Sequence, residues 1–353
     1  MAMLTAGRTM AIDSPQVNDT RCMFADWMEL LALTSSRSVS SRADIIQLVA
    51  KQSDSDHGVE ADPDTGEELE TEILESASSV LADNVLDELD FRAKSLGDSY
   101  PFVLNNRTET WKLELKSSAL ETVSNRIYIF CLLVSTLRDG RLTSKPIKDE
   151  AKEDFAQLFQ TVAYLAAIQL MGNGGHSFGY PRPDRSTFLE AISQFTTSFG
   201  IGEPKTQHFP SSLRKEKDEG IDVIAWRSFA DQRPGQLLLL GQVASGNNWL
   251  DKPVQKAVGR FLDWFITHPS RFYLPAIFIP FVQHHVFEPV KSVAYEPAVR
   301  DYCRRTEIDF GLVVDRLRIV ELIAVVQNAT LVESLKAVDS WSLVALQHAK
   351  RAA

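Results

Sequence analysis

The sequence predicts an α/β protein, α+β overall, in which an α-rich N-terminal region precedes a mixed sheet flanked by helices. In the first part of the chain, apolar residues recur at helical spacing, as in Leu69, Ile73 and Leu74. From about residue 180 to 320, short branched apolar runs bounded by Gly and Pro, typical of strands, alternate with helical stretches. We therefore expect two regions, residues 1–150 and residues 151–353.

The N-terminal region is predicted to be mainly helical. Cys22–Ala50 indicates two helices separated by the serine-rich Ser35–Ser41 turn, and Ile127–Leu137 is a long apolar run. Residues 51–68 contain almost no apolar side chains and are predicted to be an acidic linker, after which helical spacing resumes over Leu69–Leu86. This arrangement is typical of a regulatory or partner-binding region.

The second region shows a change of period from helix to strand. Its predicted elements, in chain order, are a helix over Lys152–Met171 that ends at Gly172–Gly175, a helix over Ser186–Phe199 capped by Ser186, strands at Ile221–Trp226 and Leu237–Gln242, a helix over Val254–Ile266, and strands at Ala276–Phe281 and Phe310–Val314.

The negative charge of the chain is regional. The net charge is -10, but residues 51–98 contain 15 Asp and Glu against Lys51, Arg92 and Lys94, so the remainder is slightly basic. The net charge therefore does not argue against nucleic acid. The acidic run is either a solvated linker or helix face, or a mobile anionic arm that competes with nucleic acid for a basic groove.

The sequence favours neither a membrane protein nor a disulfide-rich protein. The longest apolar stretches, Ile127–Leu133 and Phe272–Val282, are shorter than the roughly 18 residues that a membrane span needs. Residues 1–18 lack a secretory signal pattern, and Cys22, Cys131 and Cys303 are too few and too scattered for a disulfide framework or a zinc site. We expect a cytoplasmic protein without membrane contact.

His284 and His285 would point to opposite faces of an extended segment, which favours structural roles over metal binding.

Two polar residues interrupt the strands of the second region. Asp222 lies between Ile221 and Val223, and Gln242 ends a continuous leucine run. A carboxylate inside a buried strand needs a partner because desolvation is costly, and oxygen ligands suit a hard divalent cation such as Mg²⁺. If the two strands form a hairpin, both side chains meet at the same end of the sheet. Glu190, on the preceding helix, offers a third oxygen.

These residues resemble the PD-(D/E)XK restriction-endonuclease-like superfamily, and most of all its Mrr-like branch. The resemblance rests on Gly220-Ile221-Asp222-Val223, a hydrophobic strand that ends in Gln242-x-x, and the helical Glu190, and it covers roughly residues 180–320. It implies a metal-dependent nuclease with a restriction-endonuclease-like sheet. Asp222, Gln242 and the backbone carbonyl of Val243 would bind Mg²⁺ or Mn²⁺, and Glu190 would be the helical acid.

The chain departs from the family pattern where the superfamily has its catalytic lysine, because Ala244 occupies that position. Either Lys252 or Lys256 at the start of the next helix takes over the role, or Lys217 approaches from the neighbouring strand, or the site binds without cutting. We name Lys252 as the catalytic candidate. The sequence by itself leaves these alternatives open.

Basic residues surround the predicted site in sequence, and Lys215, Lys217, Lys256 and Arg260 are candidates for contact with nucleic-acid phosphates. The expected substrate is DNA. The resemblance further implies prokaryotic defence against foreign DNA, beside an ATPase or helicase partner, and a double-strand cut favours a homodimer. The rival hypothesis is a catalytically inactive nucleic-acid-binding or protein-interaction component of a defence complex.

Overall fold

The computed structural model describes residues 12–56, 67–105, 110–151, 153–172, 174–205, 218–231, 233, 235–290, 293–326 and 332–352. The chain divides into two compact units. Unit 1 comprises Met1–Lys152, His284–Val299 and Ser340–Ala353, and unit 2 comprises Glu153–Gln283 and Arg300–Asp339. The first division lies within three residues of the boundary predicted after residue 150. The segments 284–299 and 340–353, which we assigned to the second region, belong to unit 1.

Unit 1 is mainly helical and contains one small sheet. Thr20 caps its first helix by accepting a hydrogen bond from the amide of Met23, and Thr122 caps α4 in the same way. The three strands are antiparallel in the order β1-β3-β2. The elements are α1 (Arg21–Thr34), β1 (Val39–Ser41), α2 (Arg42–Asp56), α3 (Glu67–Leu96), β2 (Phe102–Asn105), β3 (Lys112–Leu115), α4 (Val123–Arg138) and α5 (Ser144–Glu150).

The predicted acidic linker 51–68 is helical at both of its ends. Residues 51–56 continue α2, and residues 67 and 68 already belong to α3, whereas residues 57–66 lie outside the described residues. Most of the acidic run therefore lies on α3, a helix of 30 residues. The helix was predicted to run from Leu69 to Leu86, and it extends beyond this range at both ends.

The core of unit 1 contains a buried polar network around Arg92 of α3. The Arg92 guanidinium donates to Glu88 at 2.6 Å and to Asp26 at 2.6 Å, and it lies 3.0 Å from the carboxylate of Glu29. The hydroxyls of Tyr100 and Tyr128 both donate to Glu29 at 2.7 Å. A single guanidinium thus serves three carboxylates that have been removed from water.

Unit 2 contains a five-stranded mixed sheet in the order β10-β9-β7-β6-β4. β4, β6 and β7 are antiparallel, whereas β7, β9 and β10 are parallel. The elements of unit 2 are α6 (Phe155–Met171), β4 (Gly174–Ser177), α7 (Phe188–Phe199), β5 (Glu203–Pro204), β6 (Val223–Arg227), β7 (Leu237–Val243), α8 (Val254–Leu262), β8 (Phe265–Thr267), β9 (Tyr273–Phe278), β10 (Leu312–Val314) and α10 (Arg316–Ala324). Two further helices, α9 (Tyr295–Phe310) and α11 (Lys336–Ala352), contribute residues to both units.

Helices flank the sheet of unit 2. α6 contacts β4, β6 and β7, and α8, which links the parallel strands β7 and β9, contacts both of them. The apolar side chains of α7 and α8 form one buried cluster with alternate residues of the strands, including Ile224, Leu238 and Leu240. The predicted α/β class, α+β overall, is confirmed.

Three differences from the predicted elements have physical causes. Gly174 and Gly175, expected only to terminate a helix, form part of β4, and α6 ends at Gly172 with a left-handed φ of 97°. α8 stops at Leu262 because the following apolar residues enter the short strand β8. The cap of α7 is Thr187 and not Ser186.

Among the described residues, no helix combines the length and the apolar character that crossing a bilayer requires.

We predict that replacing Arg92 by Met destabilises the protein by about 3–5 kcal/mol, because three buried carboxylates lose their shared cation. The free energy of unfolding, measured by urea titration, checks this. Lys94→Met is the control, since Lys94 is an exposed partner of Asp90 on the same helix. Equal urea midpoints for the two variants would contradict the prediction.

Candidate functional site

The site begins at Asp222, which immediately precedes β6. Its amide donates to the carbonyl of Gly241 at 2.8 Å, and its own carbonyl accepts from the amides of Phe178 at 2.7 Å and Gly179 at 2.8 Å. Its carboxylate accepts from the amide of Val243 at 2.7 Å. Asp222 is therefore held between β7 and the segment that follows β4, at one end of the sheet.

The carboxylate of Asp222 is strongly desolvated. Burial raises its pKa to about 7, although the hydrogen bond from Val243 and the charge of Lys252 both lower it. The negative charge of Asp218 raises the pKa further. The hydrogen bond and the lysine charge therefore do not offset the cost of burying the ionised carboxylate. A cation bound beside it would lower that cost.

Gln242, the second predicted ligand, lies on β7 between the two residues whose backbone contacts Asp222. Its Oε1 is buried and has no hydrogen-bond partner. Its Nε2 lies 3.6 Å from the position that a Cβ on Gly220 would take, and Gly220 has a left-handed φ of 81°. A buried amide oxygen without a donor is costly, and a cation would satisfy it.

Lys252 follows a short 3-10 turn after β7, and its amide donates to the carbonyl of Trp249 at 3.0 Å. The ammonium is close enough to lower the pKa of Asp222. Ala244, at the family's lysine position, is 1% exposed and belongs to the apolar cluster of unit 2. A lysine side chain at the site must therefore come from another position, and Lys252 meets that condition.

Glu190 has a structural role at the start of α7. Its carboxylate accepts from the amide of Thr187 at 2.7 Å and from its hydroxyl at 2.9 Å, and its own amide donates back to that hydroxyl, which completes a capping box. The pKa of Glu190 is lowered by the backbone and side chain of Thr187. The contacts of Glu190 are with its own helix terminus, and the structure does not bring it together with Asp222.

Two polar residues that the sequence analysis did not single out lie beside Asp222. Asp218 accepts from the amide of Gly220 at 3.0 Å, and Gln160 of α6 donates to the carbonyl of Gly179 at 3.2 Å. Gln160 Nε2 and Asp222 Oδ1 each lie 2.6 Å from the position of a Cβ on Gly179. Gln160 gave no distinguishing signal, because α6 also contains Gln157 and Gln169. Asp218 gave none either, because its turn is defined only in three dimensions.

Two of the four basic residues predicted to contact nucleic acid, Lys256 and Arg260, lie on α8. Lys256 and Arg260 are exposed one turn apart on α8, so they share a face of the helix. Arg260 Nε lies 3.8 Å from the carboxylate of Glu219. Lys215 and Lys217 lie outside the described residues. The described part of the cluster is thus a short basic face on the helix that follows Lys252.

The donor set fits one hard divalent cation. Asp222 offers a desolvated carboxylate oxygen, and Gln242 offers an orphaned amide oxygen. Val243, the last residue of β7, adds a backbone carbonyl at the same strand end. Carboxylate, amide and carbonyl oxygens are the ligands of Mg²⁺ and Mn²⁺.

The chain was compared with known proteins in three ways. No protein-family model matches it, and neither a curated protein nor a solved structure shows significant similarity to it.

We predict that Gly179→Ala disturbs the site, because the added methyl group would lie 2.6 Å from both Asp222 Oδ1 and Gln160 Nε2. Binding of Mn²⁺ to the variant, followed by electron paramagnetic resonance, should be at least about tenfold weaker than in the parent protein. Gly259→Ala is the matched control, since a Cβ there meets no atom within 4 Å. Equal Mn²⁺ affinity in the parent and both variants would contradict this.

We predict that Asp222→Asn stabilises the metal-free protein at high pH. The folded-state pKa is raised from 3.8 to about 7, so the parent protein loses stability relative to the variant as pH rises from about 4 to about 7. The expected advantage of the variant at pH 8 in EDTA is about 1–3 kcal/mol, and it should vanish near pH 4. Urea titration at both pH values checks this, with the exposed Asp231→Asn as control. An advantage that is independent of pH would contradict it.

Proposed function

We propose that the protein is a metal-dependent nuclease that hydrolyses phosphodiester bonds of DNA. The observation that carries this proposal is the pairing of the desolvated Asp222 carboxylate with the unpartnered Gln242 oxygen at one end of a mixed sheet flanked by helices. A mixed sheet of this kind is also what the resemblance to restriction endonucleases implies.

Asp222, Gln242 and the carbonyl of Val243 would hold the ion, Mg²⁺ or Mn²⁺. A bound divalent ion supplies neutralisation of charge on the phosphate and activation of a water molecule. The amide of Val243 orients Asp222 by donating to its carboxylate at 2.7 Å. Gly179 leaves the space in which Asp222 and Gln160 approach each other.

Lys252 would take the role of the lysine that is missing at Ala244. Its charge lowers the pKa of Asp222, which supports a role for the ammonium beside a group bound there. A positive charge at this point stabilises the negative charge that grows on the phosphate during attack by water. Lys256 and Arg260, further along α8, would contact the DNA backbone without reading bases.

The biological setting rests on the resemblance to the PD-(D/E)XK superfamily. That resemblance supports a role in prokaryotic defence against foreign DNA in the cytoplasm, with the protein acting as a homodimer or beside an ATPase or helicase. The rival function is a binding component that does not cleave. The observation that favours the rival is the buried Ala244, since the usual lysine is replaced by a side chain that forms part of the core.

We predict that the protein cleaves plasmid or linear DNA only when Mg²⁺ or Mn²⁺ is present. Asp222→Ala should lower the rate at least about 100-fold, because the central ligand is lost. Lys252→Met should lower kcat about 10- to 100-fold with a small change in KM, since the charge acts mainly on the transition state. Gel assays of supercoiled, linear duplex and single-stranded DNA measure these rates.

Matched variants separate chemistry from binding and from folding. Asp231→Asn should cleave normally, and Glu190→Gln should cleave normally with reduced thermal stability, because Glu190 caps α7. Lys256→Met should weaken DNA binding and its salt dependence with kcat unchanged. DNA binding by the parent protein without cleavage under any of these metals would favour the rival, and cleavage that survives in Asp222→Ala would refute the proposed site.

A further inference from the structure

A second group of possible metal ligands lies in unit 1 and shares no residue with the set proposed for phosphodiester hydrolysis. Cys22 of α1, Glu88 of α3 and His284 each offer one ligand atom, and these atoms all lie within 4.8 Å of one another. All three side chains are buried. From the sequence we expected no zinc site, because the cysteines are few and scattered, and structural roles for His284 and its neighbour, because adjacent histidines on an extended segment point to opposite faces.

The three side chains are oriented by their other contacts. Glu88 Oε1 accepts from Arg92 Nε at 2.6 Å, which leaves Oε2 facing His284 Nε2 at 2.9 Å. The ring of Phe91 packs edge-on against the imidazole, with the centroids 5.4 Å apart. The Cys22 thiol donates to the carbonyl of His284 at 3.7 Å. Fixed carboxylate and imidazole orientations of this kind are typical of preorganised metal ligands.

The spacing is close to what a tetrahedral ion requires. Zinc bound to sulfur, nitrogen and oxygen at about 2.0–2.3 Å holds its ligand atoms about 3.2–3.7 Å apart. Glu88 and His284 would need to separate by a few tenths of an ångström, and Cys22 would need to approach by no more than about 1 Å. Side-chain rotation suffices for shifts of this size.

The electrostatics of unit 1 favour an added cation here. Three buried carboxylates, those of Asp26, Glu29 and Glu88, share Arg92. A bound cation would add positive charge beside these carboxylates.

A cavity of about 540 Å³ lies within unit 1 next to Tyr295, a neighbour of the group. Its lining includes Arg21, Asn84, Asp87 and Tyr295. The hydroxyl of Tyr295 also donates to Glu88 Oε2 and lies 4.0 Å from Cys22 Sγ. The Arg21 guanidinium lies over the Tyr295 ring, 4.4 Å from its centroid. Tyr295 is therefore the side chain that separates the cavity from the three ligand atoms.

We propose that unit 1 contains a transition-metal site, with Zn²⁺ as the preferred ion and Cys22, Glu88 and His284 as its ligands. The sulfur, nitrogen and oxygen donors suit zinc and exclude Mg²⁺, which takes oxygen ligands. Binding requires the Cys22 thiolate and an unprotonated Nε2 on His284, so the thiol proton leaves to solvent and the imidazole keeps its hydrogen on Nδ1.

Titration of Co²⁺ into metal-free, full-length protein tests this proposal. One equivalent should produce tetrahedral cobalt absorption in the visible range and a thiolate-to-cobalt band in the near ultraviolet, and one equivalent of Zn²⁺ should abolish both. Cys22→Ser should lose the thiolate band, whereas Cys131→Ser, which changes another buried cysteine of unit 1, should retain it. Asp222→Ala should also retain it, since that residue belongs to unit 2.

A measurement on the unaltered protein tests the proposal even if the Cys22→Ser variant fails to fold. X-ray absorption of the zinc-loaded protein should show one sulfur ligand and the remainder nitrogen or oxygen. A zinc environment without sulfur, or a thiolate band that persists in Cys22→Ser, would overturn the proposal. Failure of DNA cleavage would not affect it, because the two sites share no residue.

Discussion

The backbone of Asp222 is the point on which the candidate site depends. Four hydrogen bonds hold this residue, two to its carbonyl from Phe178 and Gly179, one from its amide to Gly241 and one to its carboxylate from Val243. These bonds fix a charged side chain at the junction of three strands. Because these bonds hold the residue at the sheet end, its carboxylate stays partly removed from water.

The two units treat buried charge in different ways. In unit 1, the carboxylates around Arg92 are matched by a guanidinium and by tyrosine hydroxyls, and the pKa of Glu88 is lowered. In unit 2, the carboxylate of Asp222 receives one backbone hydrogen bond and the charge of Lys252, and burial raises its pKa. The first arrangement resembles a structural network, although one edge of it offers a thiol and an imidazole. In the second, the protein compensates the ionised carboxylate less fully.

The helices and strands that flank the site were predictable because their periods and terminators are local. β6, β7 and the start of α8 lie close to the predicted ranges, and Gly200 ends α7 in a left-handed conformation as expected. The role of Glu190 was also readable from Thr187-x-x-Glu190, which is the pattern of a capping box, but its place before a metal-site motif suggested another use. The short strand β4 was missed, since two of its four residues are glycines and it is stabilised by pairing with β6.

The sequence by itself determined the fold class, because apolar periodicity along the chain distinguishes helices from strands. It also singled out Asp222 and Gln242, whose meeting was conditional on the hairpin that β6 and β7 form. Only the tertiary structure decided which distant residues join them. Gln160, Gly179 and Asp218 enter the site through packing of α6 and the end of β4 against β6. Likewise, Cys22, Glu88 and His284 meet although up to 262 positions separate them. Contacts of this kind carry no local signal, since side chains on separate elements become neighbours only when the core closes.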